Sequence, residues 1–78
     1  MSAEDVLNQV LNKVIEVTPE EIQKDKSLED GHAVDSTEMV EISVGLKRAL
    51  NVEIGDNEIK KTHTYNEIVD ILKSKGAS

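Results

Sequence analysis

Few residues in this chain can do chemistry, and most arrangements of them fail. His32 and His63 are its two imidazoles, 31 positions apart and read as surface residues rather than metal ligands, and the absence of cysteine excludes thiolate metal sites and a cysteine nucleophile. Ser36, His32 and Asp35 can be written as a hydrolytic triad. A chain of 78 residues, however, has hardly enough side chains to fill its own core, and no pocket is expected beside them. Gly31, Gly45, Gly55 and Gly76 are scattered and form no phosphate-cradling loop. The acidic stretch from Asp25 to Gly31 has the wrong spacing for calcium, since Asp30 stands where such a loop needs its glycine. There remains Asp35-Ser36 at the start of a helix, followed by Glu38 and Glu41. One reading is an N-cap, because Asp and Ser are preferred there and Glu in the first turns suits the helix dipole. The other is that Ser36 carries an anionic group: a first-turn hydroxyl faces solvent, and the exposed N–H groups stabilise an attached phosphate.

The elements that must hold this pair follow from apolar spacing. Ser2-Ala3-Glu4-Asp5 opens a helix on which Val6, Leu7, Val10, Leu11, Val14 and Ile15 share one face, ending near Glu16 or Val17. Thr18-Pro19-Glu20-Glu21 starts a single turn that points Ile22 at the core. From Gln23 to Val34 the chain reads as polar and irregular, with Leu28 as its apolar anchor. The helix begun at Asp35-Ser36 should reach about Leu50 and turn Met39, Ile42, Ser43, Leu46, Ala49 and Leu50 inward. Val40 and Val44 then stand outward, as a docking stripe would. Asp56 or Asn57 is expected to cap a short helix carrying Ile59, and Thr64-Tyr65-Asn66-Glu67 opens a last helix that closes at Lys73-Ser74-Lys75-Gly76. The fold class is all-α: a small bundle of three principal helices plus one short helix, in a single domain spanning 1–78.

Composition narrows the partners. Aromatics are 1% of the chain, so the core must be aliphatic. Sixteen acidic residues against nine basic argue against nucleic acid, whose phosphates are bound by clustered Lys and Arg, and favour partners with basic surfaces. The acidic N-terminus does not resemble a signal peptide, and no apolar run is long enough to span a bilayer, so the expected location is the cytoplasm. A monomer is the expected state of so charged a bundle.

A pattern larger than the dipeptide is also present. The first amphipathic helix is followed by Val17-Thr18-Pro19-Glu20-Glu21-Ile22, Ser27-Leu28-Glu29-Asp30 and Val34-Asp35-Ser36. Val40-Glu41-Ile42, the Leu46 and Leu50 spacing, Val52-Glu53-Ile54 and a closing helix with its Thr64 cap complete it. From about Asp5 to Leu72 the chain resembles the acyl carrier proteins. The resemblance implies that Ser36 is the attachment site of covalent 4′-phosphopantetheine and Asp35 the adjacent motif acid. It implies a phosphopantetheinyl transferase as a partner, together with acyl-transferring, acyl-activating or condensing enzymes, and a carrier that is not itself an enzyme. A bundle interior that transiently shelters an acyl chain is a further expectation of the family.

Departures from the family pattern cluster on the surface of the helix after the serine. Thr37 stands where an apolar residue is usual, and Lys47 and Arg48 where acidic residues are common; Leu50 replaces a typical Phe and Gly55 a typical Pro. Thr37, Glu38, Val40, Glu41 and Val44 form the expected partner strip, with Lys47 and Arg48 splitting its acidic stripe. A specialised carrier in a fatty-acid, lipid or polyketide pathway is therefore expected. The alternatives are an aminoacyl or peptidyl carrier, and a non-catalytic interaction module in which Asp35-Ser36 is only a cap.

Overall fold

The computed structural model describes residues 2–55 and 57–77. Its helices are α1 (Ala3–Ile15), α2 (Leu28–His32), α3 (Ser36–Leu50) and α4 (Tyr65–Ser74), with a 3₁₀ turn at Pro19–Glu21. Each begins where a side chain or carboxylate satisfies the first free N–H groups. Ser2 Oγ accepts from the Asp5 N–H, Ser27 Oγ from the Asp30 N–H and Thr64 Oγ1 from the Glu67 N–H, each at 3.1 Å. In the 3₁₀ turn the Glu21 carboxylate accepts from the Thr18 N–H at 3.0 Å and the Thr18 hydroxyl at 2.9 Å.

Burial follows the helical stripes. α1 packs on α3 and on α4, turning Val6, Leu7, Val10 and Leu11 inward against Ile42 and Leu46 of α3 and Ile68 and Leu72 of α4. Complete burial of one such aliphatic side chain stabilises the fold by roughly 1.5–3 kcal/mol. Gly45 packs α3 closely on α1: a Cβ there would lie 3.1 Å from Val10 Cγ1, tighter than ordinary contact, so the valine would have to give way. Leu28 is fully buried and Ile22 is packed against the core, as the sequence suggests. Ala49 departs from expectation and is exposed, because the buried stripe of α3 is narrower than its apolar residues.

The short helix lies elsewhere than its expected position. Residues 28–32, read from sequence as irregular, form α2, whereas 57–60 make a turn. Gly31 suggests a loop, yet here it serves contact: a Cβ would sit 3.3 Å from Lys26 Cβ and 3.4 Å from Gln23 Cβ. At the other end, Asn57 has φ 75°, which interrupts a helix. The expected cap at Asp56 lies outside the described residues.

The long connection before α3 is clamped to the start of α4. Ser27 and Thr64 form an isolated antiparallel bridge; the Leu28 N–H donates to the His63 carbonyl at 3.1 Å and the Glu29 N–H to that of Lys61 at 3.0 Å. Asn66 Nδ2 adds a bond to Asp25 Oδ1 at 3.1 Å. Both histidines stiffen these loops as acceptors. His32 Nε2 takes the Gln23 N–H at 3.0 Å, and His63 Nδ1 takes the Lys60 N–H at 2.9 Å.

Candidate functional site

Ser36 is exposed and is the first residue of α3. Its position is set from behind. α2 ends in the left-handed Ala33, Val34 is buried, and the Val34 N–H donates to the Leu28 carbonyl at 3.3 Å. Asp35 is the N-cap: its Oδ1 accepts from the Glu38 N–H at 2.8 Å, and Glu38 Oε1 accepts in return from the Asp35 N–H at 3.1 Å. This capping box uses the N–H of Glu38 and leaves those of Ser36 and Thr37, which have no carbonyl one turn back, open to solvent or an anion. The cap reading of Asp35 is therefore correct. It is compatible with an attached phosphate on Ser36, because cap and hydroxyl use different atoms.

Beside Ser36 runs an open cleft of about 440 Å³ between α3 and residues 54–55 and 57–62. No pocket is expected in so small a bundle, and the structure corrects that expectation. The segment after α3 lies against the helix through Ile54 and Ile59 and leaves a trough rather than a filled interior. Met39, Val40 and Val44 form its helical wall. Lys47, Lys60 and Lys61 also line it, and none of the described lining residues is acidic. The far wall is held from outside: Glu58 Oε1 accepts from the Gly55 N–H, and Glu58 Oε2 pairs with Lys75 Nζ, both at 2.6 Å. Those two interactions, the Lys75 ammonium foremost, hold the Glu58 carboxyl below its ordinary value.

The remaining strip residues are distributed unequally. Thr37, Glu41, Lys47 and Arg48 are exposed, as are Val40 at 63% and Val44 at 38%. Glu38 is half-buried with its carboxylate engaged in the cap, so Glu41 is the acid of this turn that faces outward. Val40 and Val44 stand on a ridge, since they also line a second groove between α1 and α3 together with Lys13, Glu41 and Arg48. Ser36, Val40, Val44 and Lys47 thus meet at one cleft, whereas Arg48 lies on the other side of the ridge. Sequence reasoning missed Lys60, Lys61, Ile54 and Ile59 as parts of this site. Two consecutive lysines in an acidic chain were the available signal, but the fold of Ile54, Ile59 and the residues near them onto α3 was not legible.

Comparison with known proteins agrees with this geometry. The family model described as "Phosphopantetheine attachment site" matches residues 5–72. The acyl carrier protein of Acidothermus cellulolyticus is 31% identical over 81 residues, covering 100% of this chain and 96% of that one. That of Wolinella succinogenes is 27% identical over 74 residues, with 95% and 97% covered, and that of Rhodococcus erythropolis 33% identical over 67 residues, with 86% and 74% covered. No solved structure matches. A helical fold with a capped, exposed serine and a family match spanning nearly its whole length place the chain among the acyl carrier proteins, and it belongs to that family of carriers with covalently attached 4′-phosphopantetheine.

Proposed function

We propose that Ser36 is the hydroxyl to which 4′-phosphopantetheine is joined, and that this carrier serves a restricted set of enzymes in a fatty-acid, lipid or polyketide pathway. The observation that carries the first part is the exposed Ser36 at the mouth of the cleft, opening a fifteen-residue helix whose cap is supplied by Asp35. The residues present fit the group. Ser36 Oγ supplies the bridging oxygen of a phosphodiester. The N–H groups of Ser36 and Thr37 and the positive end of the α3 dipole would stabilise the resulting negative charge. The Asp35–Glu38 box fixes the backbone of the first turn from which the hydroxyl projects. The attached group supplies a thiol that holds acyl chains, chemistry a cysteine-free chain cannot provide from its own residues.

During modification Ser36 Oγ attacks the pyrophosphate of coenzyme A and forms a new O–P bond. Adenosine 3′,5′-bisphosphate leaves, and the hydroxyl proton passes to a base of the phosphopantetheinyl transferase. This chain contributes the nucleophile's position and leaves the catalysis to its partner. Partner contact is assigned to Thr37, Val40, Glu41 and Val44, with Lys47 and Arg48 restricting which enzymes fit. Intact mass after incubation with coenzyme A, Mg²⁺ and a broad-specificity transferase tests the attachment: the chain gains one phosphopantetheine and Ser36→Ala gains none. Modification of the Ser36→Ala variant would overturn the assignment. Restricted partnership is tested by offering the loaded carrier to a general fatty-acid ketosynthase system alongside a bulk carrier; equal turnover of both would sink it.

A further inference from the structure

Among its described lining residues, the cleft beside Ser36 carries charge opposite to that of the molecule. The chain has nine basic residues and sixteen acidic ones, yet three of the nine, Lys47, Lys60 and Lys61, line this one cleft, and no acid does among the described lining residues. The lysines come from two elements, α3 and the segment before α4, so helical periodicity does not explain their meeting. Segment 60–62 is held in place: the Lys60 N–H is bonded to His63 Nδ1, and the Lys61 carbonyl accepts from Glu29. The same cleft is lined by apolar side chains, Val40, Val44, Ile54 and Ile59 among them. A volume of about 440 Å³ is within the range of small-ligand sites, roughly 300–1,000 Å³.

We propose that this cleft selects acyl cargo bearing a carboxylate at the end remote from the thioester. The methylenes lie on the valines and isoleucines, and the terminal carboxylate pairs with the lysines at the rim. A purely aliphatic chain gains the first contact and leaves the ammonium groups unpaired. A dicarboxylic half-thioester gains both, in a partly desolvated trough where a charge pair is screened less than on open surface. Amphipathic lysine side chains suit this arrangement, since their stems extend the apolar wall while their heads reach the anion. The inference rests on the reading of Ser36 as the attachment site.

The test compares the wild-type protein in four states: unmodified, bearing the arm alone, and loaded through the transferase with hexanoyl or adipoyl arms. Intact mass establishes each state, and nuclear magnetic resonance of lysine Cε and isoleucine methyl groups supplies the readout. Adipoyl loading is expected to shift the Lys60, Lys61 and Lys47 signals together with Ile54 and Ile59. Hexanoyl loading should leave the lysines where the arm alone put them. Lysine signals that move fully on attachment of the arm, and no further with adipoyl, would make the phosphodiester the anion and overturn the cargo proposal. Equal lysine shifts with both acyl groups, or none with either, would overturn it as well. In Lys60→Gln/Lys61→Gln the adipoyl-specific shift of the isoleucines should vanish, and its persistence would count against the lysines. Failure to gain mass at Ser36 would instead reject the attachment reading and, with it, this inference.

Discussion

The phenol of Tyr65 donates a 2.6 Å hydrogen bond to Asn8 Oδ1, joining the first turn of α4 to the second turn of α1. Tyr65 is the sole aromatic residue and is completely buried, while Lys24 Nζ lies 5.3 Å from its ring centre. Burial, with the charges of Glu4 and Asp5 as smaller causes, raises the phenol above its ordinary value and keeps it a donor. Tyr65→Phe keeps the ring and loses the bond, and Asn8 is half-exposed enough to find water instead. The expected cost is about 1 kcal/mol. Tyr65→Ala removes the ring and should cost about 3–5 kcal/mol. Urea denaturation of the two variants checks both values; equal losses would show that the hydrogen bond dominates.

Ala33 closes α2 with φ 54°, a conformation that costs a residue with a Cβ roughly 1–2 kcal/mol more than glycine. Glycine returns part of that through the larger entropy of its unfolded chain. Ala33→Gly should therefore stabilise the protein by about 0.5–1 kcal/mol, an increase of a few degrees in Tm for a domain of this size. A lower Tm would mean that the methyl group of Ala33 has a packing role.

Glu21, Glu58 and Glu67 all have carboxyls held below their ordinary value, chiefly by the Thr18 N–H, by Lys75 and by the Thr64 N–H respectively. The unfolded chain consequently binds protons more readily than the folded one, and stability rises with pH across this range. The contribution is complete above the ordinary glutamate value of 4.5 and disappears as pH falls through the lowered folded values. The midpoint of urea unfolding should therefore decline from about pH 5 downward. Glu67→Gln should flatten that decline, and an unchanged slope would remove the capping carboxylate as its cause.

Val40 offers a clean separation of docking from folding. At 63% exposure its replacement by serine should change stability by less than about 0.5 kcal/mol. The same change should reduce kcat/KM of the transferase severalfold, because the side chain crowns the ridge beside Ser36. Undiminished kinetics would take Val40 out of the partner strip. For Glu41 the expected signature is salt dependence, since its attraction to basic partners is screened beyond about 8–10 Å. A dissociation constant that does not rise between low and physiological salt would contradict electrostatic docking.

How much could be read in advance depended on how local the causes were. α1, α3 and α4 were legible because Ser2, Asp35 and Thr64 mark their starts and apolar residues recur at helical spacing. The place of Ser36 at the start of α3 was legible for the same reason, whereas its reading as an attachment site came from the resemblance of the whole chain to a family. α2 was hidden because its five residues include Gly31, and its stability comes from Leu28 in the core and from the Ser27–Thr64 bridge. The cleft was hidden because it exists only where Ile54, Ile59 and the residues near them lie beside α3, a contact without a periodic signature. The role of Tyr65 depended on Asn8, a polar residue on what reads as the outer edge of α1.

The bridge between Ser27 and Thr64 also sets an order of events. Helices α1 and α3 can form from neighbouring residues, but the segment that presents Ser36 is fastened to residues 61–66, far along the chain. During synthesis the serine therefore emerges well before the framework that orients it. A chain ending ahead of Thr64 has the hydroxyl without that anchor, so modification of Ser36 is expected to require the finished fold. A truncation after residue 60 should resist the transferase even though Ser36 is present, and rapid loading of that fragment would show that the orienting loop assembles without its distant anchor. If the fragment does resist, attachment of the arm doubles as a checkpoint: only chains in which residues 27–29 have met residues 61–64 become competent to carry cargo.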